Sequence, residues 1–411
     1  MRSFIDRSLY ALLLVTLIFG VILYDIIGFK SMDELCGAVL LVLFLYSFFK
    51  SKNWEINKAF LFVLSVFSFY TVYSFVIGSN TKKAIVMDLI IQMKPYLAFF
   101  CVYQLKPSLT QKQLKLMNEL MVVFWFFLLP VGLIGFFDEG FIRLLMKHPT
   151  YFAASVTAIS LVYLFTSDYS KKSKLIFILM LTIGLASGRS KFYGFYILSI
   201  FSILYFHNSN NLRFSWRNTF AIAALFAVIV FVARDKLIFY FGYGLAQNGD
   251  VSIDYVARFV LYATSLKIFV DFLPFGSGLA SFATYASGAY YSPMYSRYNI
   301  DKIWGISKQN YSFIADTYYP SLAQFGLVGV LLFALFWVYV LRKAYAVFLQ
   351  NETTKTFVLV MLITGYCLIE NIADASFTSN RGFFMLMFMG FVIAGEQRKA
   401  LANRLVDEGT E

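Results

Sequence analysis

The feature that constrains this chain most is the recurrence of apolar runs long enough to cross a bilayer. A helix rises about 1.5 Å per residue, so roughly 17–25 apolar residues span the hydrocarbon core. Runs of that order fall near 8–29, 34–49, 59–78, 84–105, 118–137, 150–167, 174–187, 192–207, 218–233, 322–341, 356–377 and 382–395. Inside lipid every backbone polar group needs an internal partner, which only helices and closed barrels supply. The runs are continuous rather than alternating, which selects helices. The expected fold is an all-α polytopic membrane protein with about 12 transmembrane helices. The first run follows Arg2 and Arg7, is long, and lacks a small-x-small cleavage site, so it reads as a retained helix and not a signal peptide.

Composition excludes a soluble globular chain: 60% of the 411 residues are hydrophobic and 14% are charged, against about 45–50% and about 25% in soluble domains. The net charge of +12 reads as orientation and contact with anionic lipid, and no nucleic-acid motif is present. Cys36, Cys101 and Cys367 lie in apolar runs without paired spacing and read as core residues. His148 and His207 are far apart, and no metal-ligand spacing occurs, so neither a metal nor another cofactor is expected.

With the N terminus in the cytoplasm, cytoplasmic cations such as Lys50, Lys52, Lys106, Lys112, Lys171, Lys172, Arg342 and Lys343 belong to a set more than twice as large as the outward one. That outward set is Lys30, Lys82, Lys83, Arg143, Lys147, Arg189, Lys191 and Arg381. The split places both termini in the cytoplasm. The organisation is then 1–233 with helices one to nine, a large periplasmic loop over 234–321, helices ten to twelve over 322–395, and a cytoplasmic tail over 396–411.

Arg189 and Lys191, in "LTIGLASGRSKFYGFYIL", lie two apart between oily stretches. A charge at bilayer depth costs at least about 2.5–3.5 kcal/mol, so the pair marks either a surface turn or an anion site facing outward. The large loop contains "SIDYVARFVLYATSLKIFVDF", where Val256, Phe259, Val260, Leu266, Phe269 and Val270 recur at helical spacing; it predicts an amphipathic helix in the interface. "LPFGSGLASF" follows, with Gly276 and Gly278 at a turn where backbone can approach something closely. The rest is rich in Tyr, from Tyr285 to Tyr318 and Tyr319, as in an interfacial belt or a surface that stacks on sugar rings.

"SGRSK" at the outer end of a span, "PFGSGLASF" after an amphipathic segment, and "DTYYPSLAQFGLVGVLLF" leading into the next span together resemble the O-antigen polymerase and O-antigen ligase superfamily. The resemblance implies a metal-independent membrane glycosyltransferase of helical fold in the bacterial inner membrane. It also implies undecaprenyl-pyrophosphate-linked oligosaccharides as donor and acceptor, and leaves room for a chain-length regulator as partner. Ligases of the superfamily carry a His late in the outer loop; here that stretch has Gln309 and Asn310, which favours a polymerase over a ligase.

Such a transfer develops negative charge on the leaving pyrophosphate, which fixed cations stabilise. The planar fork of Arg meets two phosphate oxygens at once. Arg189 is the first candidate, followed by Arg258, then Arg297, Lys191 and Arg143. Lys94, before Pro95 within the fourth run, is expected at a helix break facing the lipid-phosphate cavity. Gly276, Gly278 and Tyr318 complete the expected binding set. The acceptor hydroxyl needs a base. Outward carboxylates are Asp138, Glu139, Asp254, Asp271, Asp301 and Asp316, with Glu370 and Asp374 four apart and expected on one helical face. Asp316 and Glu370 are the favoured catalytic carboxylates, and His148 is a base or a phosphate contact. A lipid-oligosaccharide flippase or other transporter is the alternative class, although no internal repeat is visible.

Overall fold

The computed structural model describes residues 2–29, 31–50, 56–207, 209–213, 215–218, 220, 221, 224, 234, 253–351 and 353–408. Described helices are α1 (Arg2–Leu17, continued by a π-helical turn Ile18–Ile22), α2 (Met32–Lys50), α3 (Lys58–Ile77), α4 (Lys82–Leu105), α5 (Gln111–Gly135), α6 (Glu139–Met146) and α7 (Pro149–Thr166). After them come α8 (Lys171–Thr182, continued by a 3-10 turn Ile183–Ser187), α9 (Ser190–Tyr205), α10 (Ile253–Asp271), α11 (Gly326–Asn351), α12 (Thr354–Glu370) and α13 (Asn380–Glu408). No strand occurs among the described residues.

Six helices, α3 to α8, start at a side-chain cap. Asn57, Thr81, Thr110, Asp138, His148 and Ser170 all accept a backbone N–H in the first turn that follows. These bonds satisfy donors that lipid cannot. Seven helices are long and apolar enough to cross a membrane among the described residues: Ser3–Ile22, Met32–Lys50, Lys58–Ile77, Lys82–Leu105, Gln111–Gly135, Pro149–Thr166 and Gly326–Asn351. The runs at 174–187, 192–207 and 356–377 give helices of 12, 16 and 17 residues. The run at 218–233 lies largely outside the described residues. The stretch 396–408, expected as a tail, continues α13.

The break expected at Pro95 does not occur: α4 runs unbroken from Lys82 to Leu105. Proline removes one backbone bond, and packing on neighbouring helices holds a transmembrane helix together across such a gap; α4 packs along α13 and α2. The centre of the bundle is α7, α13 and the second half of α4. Phe152–Leu164 and Phe383–Ala394 are buried on all sides.

The bundle has two distinct ends. At one, Asp6 on α1 accepts from Arg398 on α13 at 3.4 Å and from Ser108 Oγ at 3.1 Å, while Lys355 Nζ donates to Ser167 O at 2.7 Å. At the other lie the turns around 78–81, 147–148, 188–189 and 371–379, together with residues 253–325. That segment has its own small core, in which Ala257, Leu261 and Ile268 of α10 pack with Phe282, Tyr295, Ile306 and Ile314. The buried stripe of α10 is thus mostly small and branched residues, and the expected apolar positions Leu266 and Val270 are exposed.

The segment is pinned to the bundle through the motif around Gly276. Tyr73 Oη donates to Gly276 O (2.9 Å), Ser79 Oγ to Leu279 O (2.7 Å) and Asn80 Nδ2 to Ala280 O (2.8 Å). Leu279 N donates to Ser74 Oγ at 2.8 Å, and Ala280 N to Asp88 Oδ2 at 2.7 Å. Tyr70 Oη donates to Phe325 O at 2.6 Å. Irregular backbone buried at this depth must have such partners. Gly276 and Gly278 do allow close approach, but what approaches is the chain itself: Gly276 abuts Gly326, both at positive φ, where a Cβ on either would strike the other's backbone.

Candidate active site

Gly188, at φ 63°, closes the turn after α8 and delivers Arg189 and Lys191 to the start of α9. A left-handed conformation at this point is what glycine adopts without strain. His148 reaches the same place from the start of α7. Glu370 ends α12, and Asp374 and Arg381 come from the turn into α13. Three connections therefore converge on one spot.

The two cations play different parts. Lys191 Nζ lies 2.5 Å from Glu370 Oε2 and 3.5 Å from Asp374 Oδ2. Arg381 Nη2 donates to both oxygens of Asp374, at 2.9 and 3.0 Å, and its guanidinium sits 4.9 Å over the Tyr151 ring. Burial pushes the Asp374 carboxyl up, but Arg381 and then Lys191 outweigh it and hold it below the usual range. The expectation that Glu370 and Asp374 share a helical face is corrected: α12 ends at Glu370, and Asp374 lies in the following turn. They meet at Lys191 nonetheless.

Arg189 has no carboxylate partner among the described residues. Its Nη2 is 3.2 Å from His148 Nε2, and its buried Nε has no hydrogen-bond partner among the described residues. His148 caps α7 by accepting from Thr150 N through Nδ1 at 3.2 Å. A neutral imidazole has one acceptor and one N–H. With Nδ1 accepting, Nε2 carries the proton and faces Arg189 donor to donor. Burial, then Arg189 and Lys191, push the His148 value down to about 4, so the ring is neutral at pH 7. As arranged, His148 suits contact with an anion and not the role of base.

Counting Arg189, Lys191 and Arg381 against Glu370 and Asp374 leaves one net positive charge, three minus two. Arg258 and Asp316 form a separate pair nearby, with Arg258 Nε 2.5 Å from Asp316 Oδ2. Burial raises the Asp316 carboxyl and Arg258 opposes this; it also feels Asp374 and Lys191, which ties this pair to the same region.

The other expected site residues lie elsewhere or have structural partners. Arg143 pairs with Glu139 at 2.9 Å on an exposed face of α6. Arg297 stacks over Phe272 at 5.0 Å. Lys94 does not face a phosphate cavity as a free cation: Nζ lies 2.5 Å from Asp33 and 2.6 Å from Glu34. A buried ammonium needs such counter-charge. Tyr318 is buried against Phe333 and Phe377. Asp138 caps α6, Asp271 accepts from Tyr298 at 2.6 Å and Asp301 from Ser296 at 2.9 Å; the Asp254 side chain lies outside the described residues. Among the Tyr-rich stretch, Tyr295 is fully buried, whereas Tyr285, Tyr290, Trp304 and Tyr311 are exposed.

Sequence reading placed Arg381 in the outward set but not among the candidate site residues, and it did not place Tyr151 or the Asp33–Glu34–Lys94 group. The one signal for Arg381 is a cation at the very start of the last apolar run. Among the described residues, no three of His, Cys, Asp or Glu gather as a metal site. Compared with known proteins, the chain matches no family model and no curated sequence.

Proposed function

We propose that the chain is a membrane glycosyltransferase that joins undecaprenyl-pyrophosphate-linked oligosaccharide repeats into a surface polysaccharide, O-antigen, capsule or exopolysaccharide. It crosses the bacterial cytoplasmic membrane about twelve times, with 253–325 on the outer face and both termini inside. The opposed ends of the bundle and the outward grouping of Arg189, Lys191 and Arg381 support that orientation.

The observation that carries the reading is the Arg189–His148 contact at 3.2 Å, which sets two donors face to face when His148 Nδ1 accepts from Thr150 N. An oxyanion between them satisfies both, and the net positive charge around them favours a phosphate. Pyrophosphate is the leaving group of the proposed reaction. The acceptor hydroxyl oxygen bonds to the anomeric carbon of the donor sugar, and the bond to the pyrophosphate oxygen breaks. The electron pair leaves with undecaprenyl pyrophosphate, where Arg189 and the His148 Nε2–H stabilise it. The hydroxyl proton passes to a carboxylate. Asp316 fits best, because burial raises its basicity despite the Arg258 contact and its side chain is 32% exposed, while Glu370 and Asp374 lie deeper against Lys191 and Arg381. Membrane lipids surround the bundle, and a chain-length regulator is a further partner of the reading.

A gel of surface polysaccharide from a deletion strain tests this. Single capped repeat units match a polymerase. Bare core instead indicates a ligase, and loss of exported repeats indicates a flippase; either result overturns the reading.

A further inference from the structure

A cavity of about 430 Å³ opens at the same end of the bundle, beside the 375–381 turn. Asn380 lines it and accepts from Asp33 N at 2.8 Å, while the next residue, Arg381, turns to Asp374 in the cationic cluster. The size lies within the usual range for small-molecule sites, about 300–1,000 Å³.

Three features define what the cavity accepts. Its ionic groups are Asp33, Glu34 and Lys94, a formal charge of one plus against two minus, so an anion is disfavoured. Thr317 lines it, is fully buried, and has an Oγ1 without a hydrogen-bond partner among the described residues. A buried hydroxyl left unpaired is costly unless a ligand completes it. Tyr285 stands at the wall, 52% exposed, and offers an apolar ring face to C–H groups beside a hydroxyl. Carboxylate acceptors, a hydroxyl and a ring together match a ring-shaped molecule that carries hydroxyls.

We propose that this cavity binds an uncharged saccharide, separated by the 375–381 turn from the anion site at Arg189. It rests on the reading above only in naming that saccharide the acceptor; the binding itself does not.

Saturation-transfer NMR on the purified full-length protein tests it, with free glucose, galactose, mannose and N-acetylglucosamine as probes. At least one probe should receive saturation. Its affinity should fall roughly fivefold in Thr317→Val, as for one lost hydrogen bond, and should fall in Tyr285→Ala. Binding should persist in Arg189→Ala and in excess inorganic pyrophosphate. Thr317→Val replaces an unpaired hydroxyl by a methyl of similar shape, so the sugar-free variant should melt no lower than wild type. No transfer to any probe, transfer unaltered in both variants, or loss of transfer with pyrophosphate would each overturn the proposal. Sugar binding of this kind in a protein that makes no polymer would keep the cavity and sink the polymerase reading. Polymer made without such binding would do the reverse.

Discussion

Arg189 Nη2 and His148 Nε2 stand 3.2 Å apart; with His148 Nδ1 accepting from Thr150 N, each points a proton at the other, an arrangement that an oxyanion between them relieves. If Arg189 takes the pyrophosphate with its fork, Arg189→Ala should abolish long chains while protein level and membrane insertion stay normal. Losing one such contact in the transition state lowers the rate roughly 10²–10³-fold. Arg189→Lys keeps the charge, loses the fork and should remain severely impaired. Chain length on a polysaccharide gel is the readout. Full-length polymer from a stable Arg189→Ala protein would make the residue a surface anchor only.

The imidazole of His148 gives a pH prediction. Its folded value is about 4, below the ordinary 6.5, so the unfolded chain binds the proton more readily. The contribution to stability is full above pH 6.5 and is lost as pH falls toward 4. The chain has 2 His, so NMR of His207→Gln reads the His148 titration alone. A bound anion should raise the His148 midpoint. A midpoint near 6.5 in the anion-free protein would contradict the burial of the ring beside Arg189 and Lys191.

The Lys191–Glu370 pair is mostly buried, at 12% and 4% side-chain exposure. Removing one partner of such a pair costs about 3–5 kcal/mol. The two deletions should differ. Glu370→Leu leaves Lys191 with Asp374 at 3.5 Å, whereas Lys191→Leu strands the buried Glu370. Thermal unfolding should therefore show Lys191→Leu as the more damaging change, and the double variant should recover part of the loss. Equal losses would mean that Asp374 does not share Lys191.

Fixed cations do the electrostatic work in the proposed transfer, so a divalent ion is not needed. Purified protein given lipid-linked repeats in excess chelator should still extend chains. Strict dependence on an added divalent ion would require another account of the leaving group.

Asp6 and Arg398 meet at one end of the bundle, and residues 253–325 cover the other. A topology reporter fused within 280–300 should be active outside the cytoplasm, and one fused after Arg404 inside. A cytoplasmic signal from the 280–300 fusion would move Arg189 to the wrong face for a lipid-linked substrate flipped outward.

The helical character of the fold was legible because apolar length alone imposes it, and so were α10 and the convergence of Arg189, Lys191, Glu370 and His148 on one end. Partners were less legible. Lys94 looked free because Asp33 and Glu34 are about sixty positions away in sequence, and nothing local announces that α2 and α4 lie side by side. The glycines at 276 and 278 correctly signalled close approach, but whether a ligand or the chain's own backbone approaches depends on where α3 ends. Pro95 misled because propensity is local, while packing against α13 and α2 decides whether the helix continues.

The hydrogen bonds that pin 276–280 carry a consequence for the order of assembly. They join residues 192 to 205 positions apart, and Tyr70 reaches Phe325 across 255. Contacts so distant in sequence form late, because closing the long loop between them costs entropy before it returns anything. Ser74, Ser79 and Asp88 must therefore wait, already in the bilayer, for a segment synthesised some two hundred residues later. Until it docks, Arg258, Asp316 and Thr317 are missing from the end of the bundle that holds Arg189 and Lys191.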